Sequence, residues 1–408
     1  MKAMMTSDSP IPPIVIQKYG GSSVASLEKI EAIAQRVVAR QAMGYGVVVV
    51  VSAMGDATDQ LLQIAFQITP NPSARELDML LSTGERATMA LLSIAIQKYG
   101  AQSISFTGSQ SGIITNDSHA CARIIAVRPY RIQDELERGK IVIVAGFQGT
   151  SYRNEITTLG RGGSDMTAIA LAGALNAEAC EIYSDVDGVY SADPKVVLDA
   201  VKLDELSADA MLTMAQHGAK VLHDEAVAYA LRHGIALYAK KSHQPDSTGT
   251  LIRPDGWPEH ALKASKNRPT AVVTAKYILY LSARDVDITT CLARLTGIDG
   301  LKIIDCVCGH RQLELIADIW NCRDFSGIRA ALLENSAPGS FCRDDVLNVT
   351  LTGIDIGRDP NGLHHALTCL KNDGITPVAI FCQPNAISFV VNSSDCSKAS
   401  GILHELTR

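Results

Sequence analysis

The chain has no run of like charge, no basic stripe and no low-complexity stretch. Its 408 residues carry 37 Lys and Arg against 43 Asp and Glu, a formal charge of -6. That balance argues against a nucleic-acid platform, which needs clustered positive charge, and against a polybasic membrane patch. Long apolar runs are missing too: segments such as Val47 to Val51 have strand length, well short of the roughly 18 uninterrupted apolar residues of a spanning helix. Residues 1–13 hold one lysine and no apolar segment ahead of Pro10, Pro12 and Pro13, which predicts a short disordered lead-in rather than a secretory signal. Cysteine is scarce in the first two thirds, with Cys121 and Cys180 alone, while eight crowd the last third. Cys306-x-Cys308 with His310 has no second Cys/His pair at zinc spacing, so alternation along a strand is the expectation. Without a signal peptide, disulfides are not expected, and the cytoplasm is the expected compartment. No methionine follows Met214, so no separately initiated C-terminal subunit is expected.

Two glycine runs stand out against this ordinary background. An apolar segment stops at Lys18-Tyr19-Gly20-Gly21-Ser22-Ser23, and Thr157-Thr158-Leu159-Gly160-Arg161-Gly162-Gly163-Ser164-Asp165 has the same make-up. Paired glycines let backbone N–H groups close on an anion, and a helix starting behind them adds its positive dipole end. Lys18 and Arg161 add full charges suited to a polyphosphate or a carboxylate. Two such loops on one site suit phosphoryl transfer onto an acidic small molecule.

The chain is long enough for two or three domains. Strands are predicted at Ile14 to Gln17, Val47 to Val51, Ile141 to Ala145 and Ala179 to Ser184, with helices at Ser26 to Met43, Glu76 to Tyr99 and Met166 to Asn176. Strand, glycine turn, helix, strand is the grammar of a mainly parallel α/β sheet covered on both faces. Prolines and glycine between residues 253 and 269 mark a linker between a region 14–252 and a region 270–408. Beyond it, Val272 to Leu281, Leu301 to Val307 and Gln312 to Ile319 read as strands, with helices at Ile288 to Leu295 and Phe325 to Leu333. The pattern recurs with strands at Val346 to Leu351, Val378 to Phe381 and Ile387 to Val391, and helices at Leu363 to Lys371 and Cys396 to Leu406. Two βαββα-like units in tandem are the expectation, with a regulatory or assembly role.

Polar exceptions gather at strand ends or on one helix. Ser52-Ala53-Met54-Gly55, with Thr58 just beyond, follows a buried strand; Gly146-Phe147-Gln148-Gly149 ends another; Thr83-Gly84-Glu85-Arg86 breaks an apolar helix with a carboxylate. Open α/β sheets place ligands at the carboxyl ends of their strands. The block Tyr183 to Tyr190, continuing to Asp193-Pro194-Lys195, has an Asp-x-Asp-Gly core but lacks the closing glutamate of a calcium loop, and a nucleotide-holding loop explains it better. Gly218-Ala219-Lys220-Val221-Leu222-His223 sets a lysine among apolar residues, where a snorkelling surface lysine is the plain alternative. His223 is expected to pack or cap rather than catalyse.

These blocks, in this order, resemble the signature blocks of aspartokinases across about Val15 to Ile252. The resemblance implies the amino-acid kinase fold, a mainly parallel sheet of about eight strands between helices, followed by a pair of ferredoxin-like ACT modules. It implies ATP-dependent phosphorylation of the β-carboxylate of L-aspartate, the first step toward lysine, threonine and methionine or of a specialised branch of that pathway. Lys18 would hold the transferring phosphoryl group beside Gly20, Gly21 and Ser22. Arg161 and Glu85 would grip aspartate, with Ser52, Thr58, Phe147 and Ser164 completing the pocket. Ser184, Asp185, Tyr190, Lys195 and Lys220 would line the nucleotide side, with Asp165 between the substrates and Mg²⁺ arriving on ATP without a dedicated protein site. A homodimer or higher homo-oligomer through the C-terminal modules is implied.

Departures occur at Asp224 and Glu225, where the family commonly has Pro and then often Arg, and in the tail. Arg284-Asp285-Val286-Asp287 and Leu301-Lys302-Ile303-Ile304 stand in the first module where the family has a Pro-Gly turn and an effector-framing strand; Pro360-Asn361-Gly362 and Cys382-Gln383-Pro384-Asn385 do so in the second. Weak response to lysine plus threonine is therefore expected. Two rivals are another acidic amino-acid kinase of the same fold, which would lack the combined Glu85 and Ser184-to-Tyr190 blocks, and an idle ligand-binding regulator. The cheapest sign of the latter, loss of Lys18, Arg161 or Asp165, is absent.

Overall fold

Residues 12–244, 247–254, 268–296, 298, 301–319, 322 and 339–408 are described by a computed structural model. Residues 1–11 of the expected lead-in, 255–267 of the expected linker, and the expected helix Phe325 to Leu333 lie outside them. The chain divides into two compact units: residues 1–189, 204–208 and 221–259, and residues 190–203, 209–220 and 260–408.

In the first unit an eight-stranded sheet runs in the order Glu205–Ser207, Thr250–Arg253, Leu237–Lys241, Ala179–Ser184, Ile14–Tyr19, Gly46–Val51, Ile141–Ala145, Ser103–Phe106. All neighbours pair in parallel except Leu237–Lys241 with Thr250–Arg253. Gly46–Val51 is buried throughout, as a strand covered on both faces must be. Side chains alternate across the sheet. Val15, Tyr19, Val47, Val49, Val51, Ile141 and Ile143 pack with Ile30, Ile33 and Val37 of helix Leu27–Ala42 and Leu92 and Ile96 of helix Ala74–Lys98. The alternate residues, Ile16 and Lys18 among them, take the face on which helix Gly163–Ala174 lies.

Helix Leu27–Ala42 is capped by Ser26, whose side chain accepts from the Lys29 N–H. Helix Ala74–Lys98 is long and apolar enough to cross a membrane by length and composition, but half of that stretch is buried in the protein. A small four-stranded sheet, Ile124–Val127, Ile113–Thr115, Gln148–Ser151, Ile156–Thr158, was not legible in the sequence. One of its strands starts where the sequence predicts a turn: Phe147 makes the corner at φ +69°, and the strand begins at Gln148.

The second unit holds two antiparallel four-stranded sheets, ordered Ala271–Ala275, Val346–Thr352, Ala386–Asn392, Ala379–Gln383 and Lys302–Gly309, Gln312–Asp318, Ile278–Arg284, Phe341–Arg343. The expected single strand Val272 to Leu281 is two, parted at Lys276-Tyr277, and its halves enter different sheets. The module order is thus interleaved, the first module being inserted after the first strand of the second. Each sheet packs on its own helices: Leu279, Leu281 and Leu315 with Leu295, and Val349, Leu351 and Phe389 with Ala366, Leu370 and Leu403. A third cluster, with Tyr280, Ile316, Phe381 and Val390, joins the two sheets. Ala192 and Val197 belong to the Val349 cluster, which is why residues 190–203 group with this unit.

Cys306 and Cys308 lie exposed on strand Lys302–Gly309. Among the described residues no cluster of three His, Cys, Asp or Glu could hold a metal. Pro360-Asn361-Gly362 opens helix Pro360–Asn372, with Asp359 capping it by accepting from the Asn361 N–H. Arg284-Asp285-Val286 forms a turn with Asp285 at φ +56°.

Candidate active site

The carboxyl ends of Ile14–Tyr19, Gly46–Val51, Ile141–Ala145 and Ala179–Ser184 lie side by side, in registers pairing Tyr19 with Val51 and Tyr183, and Val51 with Ala145. The loops leaving these ends are tied together. Gly20 N–H donates to Tyr183 O at 3.3 Å, Ser52 N–H to Tyr19 O at 3.1 Å, Gly55 N–H to Gly21 O at 3.0 Å and Gly146 N–H to Val51 O at 3.0 Å. The first glycine run turns into a short 3₁₀ segment, Gly21–Val24, and Ser23 shares a short hydroxyl contact with Ser242, whose own hydroxyl donates to Ser184 O at 3.0 Å.

On the opposite side of this rim stands helix Gly163–Ala174. It begins three residues before the sequence suggests, so Ser164 and Asp165 sit in its first turn, both buried. Asp165 Oδ1 is 2.7 Å from Lys18 Nζ. The second glycine run therefore brings a carboxylate and a helix dipole to the lysine of the first. Gly162 requires its lack of a Cβ: its φ is +69°, and a Cβ there would meet His223 Cγ at 2.5 Å. His223 packs against that glycine and occupies the N-cap position of helix Asp224–His233. Asp224 and Glu225 fall in that helix's first turn, where negative charge is favoured.

Helix Ala74–Lys98 presents Glu85 to the Ser52–Gly55 turn. Glu85 is only 3% exposed; its Oε1 accepts from the Ala53 N–H at 3.1 Å, while its buried Oε2 has no partner among the described residues. Burial pushes the Glu85 carboxyl up to about 7. The close approach depends on Gly84, where a Cβ would meet Ala53 Cβ at 2.7 Å. A buried carboxylate with an open oxygen suits an ammonium group. Phe147 is fixed through its backbone, its N–H donating to Thr167 Oγ1 at 3.1 Å and its carbonyl accepting from Leu159 N–H at 2.9 Å. Ser52 and Thr58 are half-buried beside the same turn, Thr58 on helix Ala57–Ile68, and Arg161 is exposed at the lip of the second glycine run.

Lys18, Gly20, Gly21, Ser22, Ser52, Thr58, Glu85, Phe147, Arg161, Ser164, Asp165, Ser184 and Asp185 all belong to the first unit. Tyr190, Lys195 and Lys220 belong to the second. There Lys195 N–H donates to Asp193 Oδ1 at 2.9 Å, and Lys220 Nζ lies 5.6 Å from the centre of the Tyr277 ring, with its side chain exposed.

Sequence reasoning missed Asp78, buried on helix Ala74–Lys98 and bonded to Thr158, His119 and Ala120. The signal was available: Asp78 precedes Glu85 by two turns on the same face of a helix whose buried positions are otherwise mostly apolar.

A model described as the amino acid kinase family matches residues 13–239. An aspartokinase of Mycolicibacterium smegmatis is 40% identical over 414 residues, covering 96% of this chain and 95% of the relative. An aspartokinase of Mycobacterium tuberculosis (strain ATCC 25618 / H37Rv) is 55% identical over 240 residues, 59% of this chain and 57% of the relative. Among solved structures, E. coli aspartokinase III in complex with aspartate and ADP is alike in fold, with a TM-score of 0.79 at 23% identity, covering 96% of this chain and 99% of that one.

Proposed function

This chain belongs to the aspartokinase family, and we propose that the rim built by its two glycine runs and Glu85 is where aspartate and ATP react. The reaction is ATP-dependent phosphorylation of the β-carboxylate of L-aspartate. The observation that carries the site is the buried Oε2 of Glu85, unpaired among the described residues, beside a turn that also touches the first glycine run.

Glu85 takes the α-ammonium of aspartate, and Arg161 takes a carboxylate by its guanidinium fork. Ser52, Thr58, Phe147 and Ser164 complete the pocket. A β-carboxylate oxygen attacks the γ-phosphorus of ATP, the new P–O bond forms, and the bond to the β-phosphate oxygen breaks with its electron pair leaving on ADP. The attacking carboxylate is already ionised, so no general base is needed. Catalysis is alignment plus neutralisation of charge on the phosphoryl oxygens. Lys18 supplies that charge, helped by backbone N–H groups of Gly20, Gly21 and Ser22, and Asp165 holds Lys18 in place between the substrates.

In the first unit, Ser184 and Asp185 serve the nucleotide. Mg²⁺ shields the phosphates of ATP when bound. Asp165, the carboxylate next to Lys18, would be the protein group nearest that ion, which would be held chiefly by the nucleotide. Residues 14–252 form the catalytic region and 270–408 the regulatory and assembly region, through which copies of the chain associate. The enzyme works in the cytoplasm.

Replacing Lys18 by Ala tests the assignment. Its charge acts on the developing transition state rather than on packing, so turnover should fall below about a tenth of wild type with the fold retained. A folded variant keeping more than that removes Lys18 from the chemistry.

A further inference from the structure

Asp78 is fully buried on helix Ala74–Lys98, and both its oxygens accept from residues around the second glycine run. Oδ1 accepts from Thr158 Oγ1 at 2.5 Å and from the Ala120 N–H at 3.0 Å; Oδ2 lies 2.7 Å from His119 Nδ1 and 3.2 Å from the Ala120 nitrogen. Ala120 has φ +66°, a left-handed conformation costing a non-glycine residue about 1 kcal/mol, which these bonds offset. Thr158 O in turn accepts from the Ala122 N–H at 2.8 Å. The tethered loop backs directly onto Gly160: a Cβ there would stand 3.5 Å from Ala120 O and 3.7 Å from Cys121 Sγ. Arg161 follows at once.

Seven residues after Asp78 the same helical face carries Glu85. One rigid helix thus holds the ammonium-binding carboxylate directly and the arginine loop through Asp78. We propose that Asp78 and His119, with Thr158, are positioning residues that set the spacing between Glu85 and Arg161, and thereby select aspartate over amino diacids of other length. This rests on the pocket proposed above. None of the three touches substrate; they act through the backbone on either side of Gly160.

The test uses the full chain and compares His119→Ala, His119→Asn and Thr158→Val with wild type and Arg161→Ala, measuring KM for aspartate and for ATP, use of glutamate as a probe of length, and Tm. His119→Ala and Thr158→Val each remove one bond to a buried carboxylate. They should raise the aspartate KM about tenfold while the ATP KM stays within about twofold. The preference for aspartate over glutamate should narrow. His119→Asn, whose amide can donate from near the Nδ1 position, should restore most of the loss. A purely structural role predicts a lower Tm with the aspartate KM unchanged, or both KM values rising together, and either result overturns the proposal. Should one variant fail to fold, the other two still decide it. Arg161→Ala separates the two levels: if it leaves the aspartate KM unchanged the pocket itself is misplaced, whereas if it raises that KM and His119→Ala does not, only the positioning role falls.

Discussion

With Glu85 as the proposed partner of the aspartate ammonium group, aspartate binding should depend on pH. Burial lifts the Glu85 carboxyl from the ordinary 4.5 to about 7, because the ionised form loses its water. An unfolded chain ionises this group near 4.5 while the folded one keeps its proton until about 7, so between those values the folded state binds more protons. Its contribution to stability then declines as pH rises through that window. Binding works in the opposite direction. An ammonium group against Oε2 favours the ionised carboxylate, so aspartate must drive off a proton wherever Glu85 is still protonated. With a free-enzyme pKa of about 7, roughly one molecule in ten is ionised at pH 6 and nine in ten at pH 8, so affinity should improve about tenfold between those values. Calorimetric titration with aspartate, without nucleotide and in buffers of different ionisation enthalpy, reads both the affinity and the proton released. Glu85→Gln should bind more weakly and lose most of this pH dependence. A flat affinity from pH 6 to 8 in wild type, or an equal slope in Glu85→Gln, would refute the reasoning.

Arg161→Ala and Glu85→Ala should each weaken aspartate binding by about 2–4 kcal/mol, because each leaves a charged substrate group unpaired; unchanged saturation in both would move the pocket elsewhere. Gly84→Ala gains about 1 kcal/mol of helix propensity but forces a 2.7 Å contact with Ala53, an overpacking that costs about 1–3 kcal/mol. A lower Tm together with a raised aspartate KM is expected, and a stabilised variant would contradict the close approach. The rewritten turns at Asp285 and Pro360 predict weak inhibition by lysine and threonine together, checked by turnover with both at millimolar levels; strong inhibition by the pair would sink this expectation.

Most of the kinase fold was legible because its strands are short buried runs ended by glycine turns, as at Val47 to Val51 and Ile141 to Ala145. The sequence pattern starts the helix behind the second glycine run three residues late, since Gly163 reads as loop until Gly162 is seen to supply the left-handed entry to the helix. The two C-terminal sheets were foreseen as modules but not as interleaved ones. Strand periodicity is continuous across Lys276-Tyr277, and only pairing partners reveal that Ala271–Ala275 and Ile278–Arg284 part company. Glu85 could be found as a carboxylate in an apolar helix. The role of Asp78 could not, because its partners Thr158 and His119 are 80 and 41 residues away and meet it only through the small sheet and its loops.

The central claim is transfer of the γ-phosphoryl group of ATP to the β-carboxylate of aspartate. Incubating the purified chain with Mg-ATP and, separately, aspartate, glutamate and N-acetylglutamate, then trapping acyl phosphate with hydroxylamine, tests it most directly. Aspartate should give β-aspartyl hydroxamate in step with ADP, and the other two should give little. ADP without hydroxamate, or faster product from glutamate or N-acetylglutamate, would contradict it.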